Sequence, residues 1–240
     1  MRTLITGASR GVGLALVAEA LSRDHQVIAC ARKPDDAREL NALADKFGDQ
    51  LTLAKLDVTN PEHIASVAQL THDKLGALDL LINNAGVGPD SPGMGPAEAH
   101  STFGKLDASK LLAVFEVNTI APLMITEALL PMLKLGEQPR IAMISSQLAS
   151  SQRTIKSRNY SYGASKAALN HITQNLAWHL EGDGVIAAAF HPGWVSTDMG
   201  GPQAPTTPAE SARDLLYLFE TLTLEMSGGY FDLDGSTMAF

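Results

Sequence analysis

The sequence predicts a doubly wound α/β fold, a parallel sheet of about seven strands with helices on both faces. Short apolar runs alternate with longer segments of helical period along nearly the whole chain, which is the signature of βαβ units. A glycine-rich turn follows the first apolar run, and right-handed crossovers then make the doubly wound topology the natural one. No internal repeat and no shift in composition divides the chain, so residues 1–240 read as a single dinucleotide-binding oxidoreductase domain.

The expected strands are Leu4–Thr6, Gln26–Ala31, Leu51–Leu56, Asp79–Asn83, Arg140–Ser145, Val185–His191 and Gly229–Phe231. The expected helices are Gly13–Ser22, Ala37–Phe47, Pro61–Leu75, Ala108–Leu133, Ser161–Leu180 and Pro208–Leu224. Pro61 and Pro208 suit a first helical turn, with Thr59 or Asn60 and Thr207 as N-caps. Three irregular stretches, Val87–Gly104, Ser150–Asn159 and Ser196–Thr207, follow strands and belong at the carboxyl edge of the sheet, where open α/β folds bind ligands.

Composition removes several classes of function. Eighteen basic against 26 acidic residues give a net charge of −8, which leaves no electrostatic footprint for nucleic acid. The single cysteine, Cys30, excludes a disulfide framework and a thiolate zinc site, and points to a reducing compartment. His171 and His179 lack the H-E-x-x-H pattern, so no metal is expected. No leader is expected at the amino end, and no window is expected to approach the ~20 apolar residues that cross a bilayer. The expectation is a cytoplasmic protein without membrane contact.

Thr6-Gly7-Ala8-Ser9-Arg10-Gly11-Val12-Gly13 joins the first strand to the first helix. Glycines there let the backbone approach a pyrophosphate lying on the helix N-terminus. The spacing is G-x-x-x-G-x-G. Ala31 and Arg32 stand where an acidic residue would grip the ribose of NAD, and Arg32 with Arg10 would suit a 2′-phosphate instead. NADP is therefore favoured over NAD; Asp35 or Asp36 would carry the rival reading, and solvated surface arginines the plain one. Asp57-Val58 either borders the adenine or makes a turn. Asn83-Asn84-Ala85-Gly86 reads as a backbone brace or a cofactor contact.

Tyr162-Gly163-Ala164-Ser165-Lys166 opens a helix and sets tyrosine and lysine on one face. A phenol with a pKa of about 10 is poorly matched to proton transfer near neutrality, and a neighbouring ammonium favours its phenolate. Cys30 and His191 read as structural residues, and Tyr160 lies off the face of Lys166.

Taken in order, Thr6–Gly13, Asn83–Gly86, Asn118, Ser146, Tyr162, Lys166 and Pro192-Gly193 resemble the short-chain dehydrogenase/reductase family over nearly the whole chain. His191–Gly201 and Ser227–Asp232 are similar to its C-factor/sniffer-type carbonyl reductase branch. The resemblance implies a Rossmann-type fold and NADPH-dependent reduction of an aldehyde, ketone or quinone, with Tyr162 as general acid. It implies that Lys166 tunes Tyr162 and holds the nicotinamide ribose, that Ser146 binds the carbonyl oxygen and that Asn118 orders a water. Val195 and Thr197 would contact the carboxamide. Ser145 and Ser146 face opposite ways on a strand, and the family uses the second of such a pair. The stretch from Ser146 to Tyr162 is longer than the family usually shows, which keeps Ser150 and Ser151 as alternatives. A homodimer or homotetramer is the family's precedent, and a signalling protein that binds NAD(P) with little turnover is the alternative function.

Ala31→Asp combined with Arg32→Gln should weaken NADPH binding and improve NADH binding in titrations at one ionic strength. Equal affinity of the wild type for both nucleotides would contradict it.

Overall fold

The computed structural model describes residues 1–88, 91, 94, 101–152 and 160–240; the remainder of the first two irregular stretches lies outside the described residues. Seven strands form one parallel sheet in the order β3-β2-β1-β4-β5-β6-β7. They are β1 Arg2–Thr6, β2 Gln26–Ala31, β3 Leu51–Lys55, β4 Leu80–Asn83, β5 Arg140–Ile144, β6 Ile186–Phe190 and β7 Tyr230–Phe231. The order reverses between β1 and β4, which opens a crevice at their carboxyl ends.

Strand alternation divides the apolar side chains between two layers. Ile5, Val27, Ala29, Ile82, Ala188 and Phe190 face one side, covered by α1 Gly11–Ser22, α2 Arg38–Phe47 and α7 Pro208–Thr221. Leu4, Ile28, Cys30, Leu81, Ile141 and Met143 face the other, under α3 Pro61–Leu75, α5 Ala121–Leu133 and α6 Tyr162–Leu180. Both faces of the central strands are dry, which is why they read as continuous apolar runs rather than alternating ones. Cys30 is fully buried, and burial pushes its thiol up to about 12, so it is an inert core residue.

Helix starts follow local chemistry. Asn60 rather than Thr59 caps α3, accepting from the backbone N–H groups of Glu62 and His63. Thr207 and Glu210 form a reciprocal capping box at the start of α7.

The expected helix over 108–133 is not uniform. It runs as α4 Ala108–Phe115, a π-helical turn over Glu116–Ile120, and then α5. This run also corrects the expectation about membrane-length segments, because Ala108–Leu133 reaches a hydropathy of 1.4 and is long enough to cross a bilayer. One side of it packs into the core, while Leu112, Ile120 and Met124 are exposed. Ile125, Leu129, Met132 and Leu133 pack beneath the sheet, while Asn118 and Thr119 bond to Ser165.

Removing the α7 cap should cost a predictable amount. Thr207→Ala deletes one side of the capping box and should lower stability by about 1 kcal/mol, moving Tm by roughly 2–4 °C. An unchanged melting curve would show that the box contributes nothing.

Candidate active site

The glycine turn packs against the end of β4 with no room to spare. Gly7 has φ +67°, and a Cβ there would lie 2.8 Å from Ala85 Cα. A Cβ on Gly13 would collide with the Gly7 carbonyl oxygen and Asn84 Nδ2. Asn84 braces the turn by donating to the carbonyls of Thr6 at 2.9 Å and Gly7 at 3.2 Å. Thr6 Oγ1 accepts in return from the N–H groups of Asn84 and Ala85, both at 3.0 Å. The brace reading of Asn84 is thus realised in the geometry. Asn83 points into the core and donates to Thr126.

Above this brace the first turn of α1 has no side-chain cap and no acidic residue. Its N–H groups form a cradle that suits an anion. Ser9 and Val12 are half-buried beside it, and Ala8 N–H is tied to the Cys30 carbonyl on β2.

The two arginines take different positions. Arg32 stands exposed just past β2, whereas Arg10 pairs with Asp198 at 3.1 Å. Asp198 belongs to the segment after β6, and its neighbour Thr197 lies 3.3 Å from where a Gly11 Cβ would sit. The glycine turn and this segment therefore touch. Gly193 adopts φ +81°, the Pro192 carbonyl accepts from Ser211, and Val195 is buried beside Thr206. Asp57 makes the alternative turn, accepting from Thr59 N–H and Oγ1, with Val58 buried next to it.

The second cluster assembles Asn118, Ser146, Tyr162 and Lys166 from three parts of the chain. Ser145 faces the core and donates to Asn170 at 2.6 Å, so its neighbour Ser146 faces the cleft. Ser146 accepts from Leu148 N–H at 3.2 Å and hydrogen-bonds the Tyr162 hydroxyl. Ser151 instead donates to the Phe240 carbonyl, and Ser150 is buried. Lys166 lies one helical turn beyond Tyr162, its Nζ 6.0 Å from the ring centroid. That ammonium is buried and donates to the Ile144 carbonyl at 2.6 Å.

Asn118 arrives by way of the π turn, a device often found at functional sites. Its side chain donates to the Val87 carbonyl and Ser165 Oγ, and accepts from Val87 N–H at 2.8 Å. Asn118 Oδ1 and Lys166 Nζ converge on Gly86, at 3.4 and 3.5 Å from the position of an added Cβ.

The protonation pattern differs from the sequence expectation in one respect. Withdrawal from water raises the Tyr162 phenol above its ordinary value, and the Ser146 hydrogen bond offsets this only in part. Lys166 was expected to bring the phenol down. Its own ammonium is instead lowered to about 8 by burial, so near neutrality both groups hold their protons.

Thr6, Ser165, Asp198 and Tyr230 fall inside motifs quoted from the sequence, but their side-chain partners could not be read there, and only Thr6, directly before the first glycine, stands next to the residues it braces.

Residues 2–207 match the family model for short chain dehydrogenases. The chain belongs to the short-chain dehydrogenase family. The C-signal protein of Myxococcus xanthus is 37% identical over 161 residues, covering 67% of this chain and 92% of that one. The NADPH-bound carbonyl reductase from chicken fatty liver superposes with a TM-score of 0.90 at 34% identity, covering 100% of this chain and 98% of that one. Carbonyl reductase Sniffer of D. melanogaster does so with a TM-score of 0.91 at 28% identity, over 100% and 99% of the two chains. These likenesses set this oxidoreductase of the short-chain family in the C-factor/sniffer branch.

Burial of Lys166 has a consequence for stability. Its folded pKa of about 8 lies below the unfolded value of about 10.4, so between them the unfolded chain holds more protons. The cost of the buried ammonium is complete below pH 8 and fades as pH rises through that window. Lys166→Met, which keeps the apolar stem, should stabilise the ligand-free protein by roughly 1–3 kcal/mol at pH 7, and the gain should vanish near pH 10.5. A variant less stable at pH 7, or a gain independent of pH, would refute this.

Proposed function

We propose that this chain is an NADPH-dependent carbonyl reductase, folded as one dinucleotide-binding domain, in which Tyr162 is the general acid. The observation that carries the reading is the Tyr162 hydroxyl bonded to Ser146 and flanked by the buried ammonium of Lys166. NADPH suits the cradle, since Gly7 and Gly13 leave no space for side chains and the first turn of α1 is uncapped. Gly7, Ser9, Gly11, Val12 and Gly13 would hold the pyrophosphate. Arg10 and Arg32 would meet the 2′-phosphate once Arg10 leaves Asp198, and Asp57 and Val58 would border the adenine. Asn84, Ala85 and Gly86, with Pro192, Gly193, Val195 and Thr197, would frame the nicotinamide half. The NADPH bound in the chicken-liver relative supports this choice of cofactor.

When bound, the cofactor supplies the hydride; the chain supplies the proton and the placement. The raised phenol keeps Tyr162 protonated at neutral pH, ready to give its proton to the substrate oxygen as negative charge develops there. Ser146 donates a hydrogen bond to the same oxygen. Lys166 keeps its ammonium below about pH 8, holds the ribose and favours the phenolate left behind. Asn118 has one acceptor position left on Oδ1, aimed at Gly86 beside Lys166, which suits a water returning the proton to Tyr162.

The substrate wall is apolar. Phe103, Trp194 and Met199 are 79%, 52% and 53% exposed, Met199 lies over Gly88, and Phe103 packs near Tyr160 two residues before Tyr162. Half-buried Met94 belongs to the same edge of the sheet. An aromatic or otherwise hydrophobic carbonyl compound suits such a surface better than a charged sugar.

The likeness to C-signal favours a second reading, a signalling protein that binds the nucleotide with little turnover. NADPH oxidation across a panel of aldehydes, ketones and quinones separates the two. Tyr162→Phe keeps the ring and removes the proton donor, so turnover should fall by about 10²–10⁴-fold while NADPH affinity stays nearly constant. Near-wild-type turnover in the variant would overturn the assignment; NADPH binding by the wild type without reduction of any substrate would favour signalling.

A further inference from the structure

We propose that Tyr230 is a positioning residue for Ser146, acting through the backbone from the far end of the chain. This rests on the reading of Ser146 as the residue that binds the substrate oxygen. Tyr230 lies on β7 and is fully buried in the layer beneath the sheet, where a phenylalanine would fill the same volume. Its hydroxyl is the part that packing does not explain. A buried phenol must find an acceptor, and this one donates to the Ser146 carbonyl at 2.5 Å across 84 residues of sequence.

The Ser146 carbonyl has a second duty. It accepts from Ala149 N–H at 2.8 Å, closing the 3₁₀ turn over Gln147–Ala149. A carbonyl oxygen has two lone pairs, so the turn and Tyr230 together saturate it. Ser146 itself is extended, with φ −163° and ψ 147°, and its side chain accepts from Leu148 N–H within the same turn. Fixing the peptide after Ser146 therefore fixes the direction of its hydroxyl toward Tyr162.

The last residues of the chain hold Tyr230 in turn. Met238 N–H donates to the Tyr230 carbonyl at 2.7 Å, and the Phe240 ring lies 5.7 Å from the Tyr230 ring. Ser151 donates to the Phe240 carbonyl at 3.1 Å. The segment from Ser146 to Ser151 is thus gripped at both ends by Tyr230 and Phe240. A misdirected serine loses its bond to a developing negative charge, which affects the chemical step more than cofactor binding.

A double-mutant cycle tests this, with kcat referred to sites titrated by NADPH so that partial unfolding cannot imitate a loss. Tyr230→Phe should lower kcat by about 5–30-fold and leave NADPH affinity within about twofold, the pattern of a lost transition-state contact. In a Ser146→Ala background the same change should add less than about twofold, because the proposed effect of Tyr230 on the chemical step runs through that serine. Full kcat in Tyr230→Phe, beside a Ser146→Ala that loses activity, would overturn the proposal alone. Losses that multiply in the double variant, or a Tyr230→Phe chain that no longer binds NADPH, would also overturn it by assigning the hydroxyl to the fold. Full activity in Ser146→Ala would instead remove the reading of Ser146 on which the proposal stands.

Discussion

A buried ammonium is the constraint around which this molecule is organised. Lys166 is withdrawn from water, and among the described residues no carboxylate pairs with it; its ammonium donates to the Ile144 carbonyl at 2.6 Å. Burying a charge without a counter-ion is unfavourable, and the expected response is a lowered pKa, here about 8. Gly86 lies beside the ammonium, with Asn118 Oδ1 and Lys166 Nζ 3.4 and 3.5 Å from the position of an added Cβ. The dipole that faces the ammonium is the Ile144 carbonyl, which leaves the charge available to a ligand rather than committed to an ion pair.

Topology explains why these groups meet. Reversal of strand order between β1 and β4 leaves the crevice between the glycine turn and the end of β4, and Asn84 ties the two together. The next strand, β5, ends in Ile144 and delivers Ser145 and Ser146 to opposite sides. Helix α6 begins opposite that strand end and brings Tyr162 and Lys166 over it. The segment after β6 returns to touch the glycine turn through Thr197 and the Arg10–Asp198 pair. Arg10 and Asp198 are largely exposed, so their pairing contributes little to stability and leaves the arginine free to exchange partners.

Much of this was legible in the sequence because it is written in short-range patterns. The buried strands read as apolar runs, and Asn60 and Thr207 announced helix starts beside Pro61 and Pro208. The serine pair could be resolved in principle from strand alternation, and in the structure Ser145 faces Asn170. Interactions set by distant segments were not legible. The π turn that delivers Asn118 leaves no mark on a helical apolar stripe. The pairing of Arg10 with Asp198 and the bond from Tyr230 to Ser146 join residues far apart in the chain. The direction of the Tyr162 shift was misjudged for a related reason. Sequence shows the lysine one turn away, but only the packed structure shows the burial that raises the phenol against the Ser146 hydrogen bond.

The state of Lys166 is the point at which the account is most directly exposed. Its side-chain ¹³Cε resonance, assigned by comparison with Lys166→Met, can be followed by NMR as the pH of the ligand-free protein is raised. A titration midpoint near 8 is expected. A midpoint near the ordinary lysine value of about 10.4 would mean that the ammonium is solvated or paired, and would contradict it.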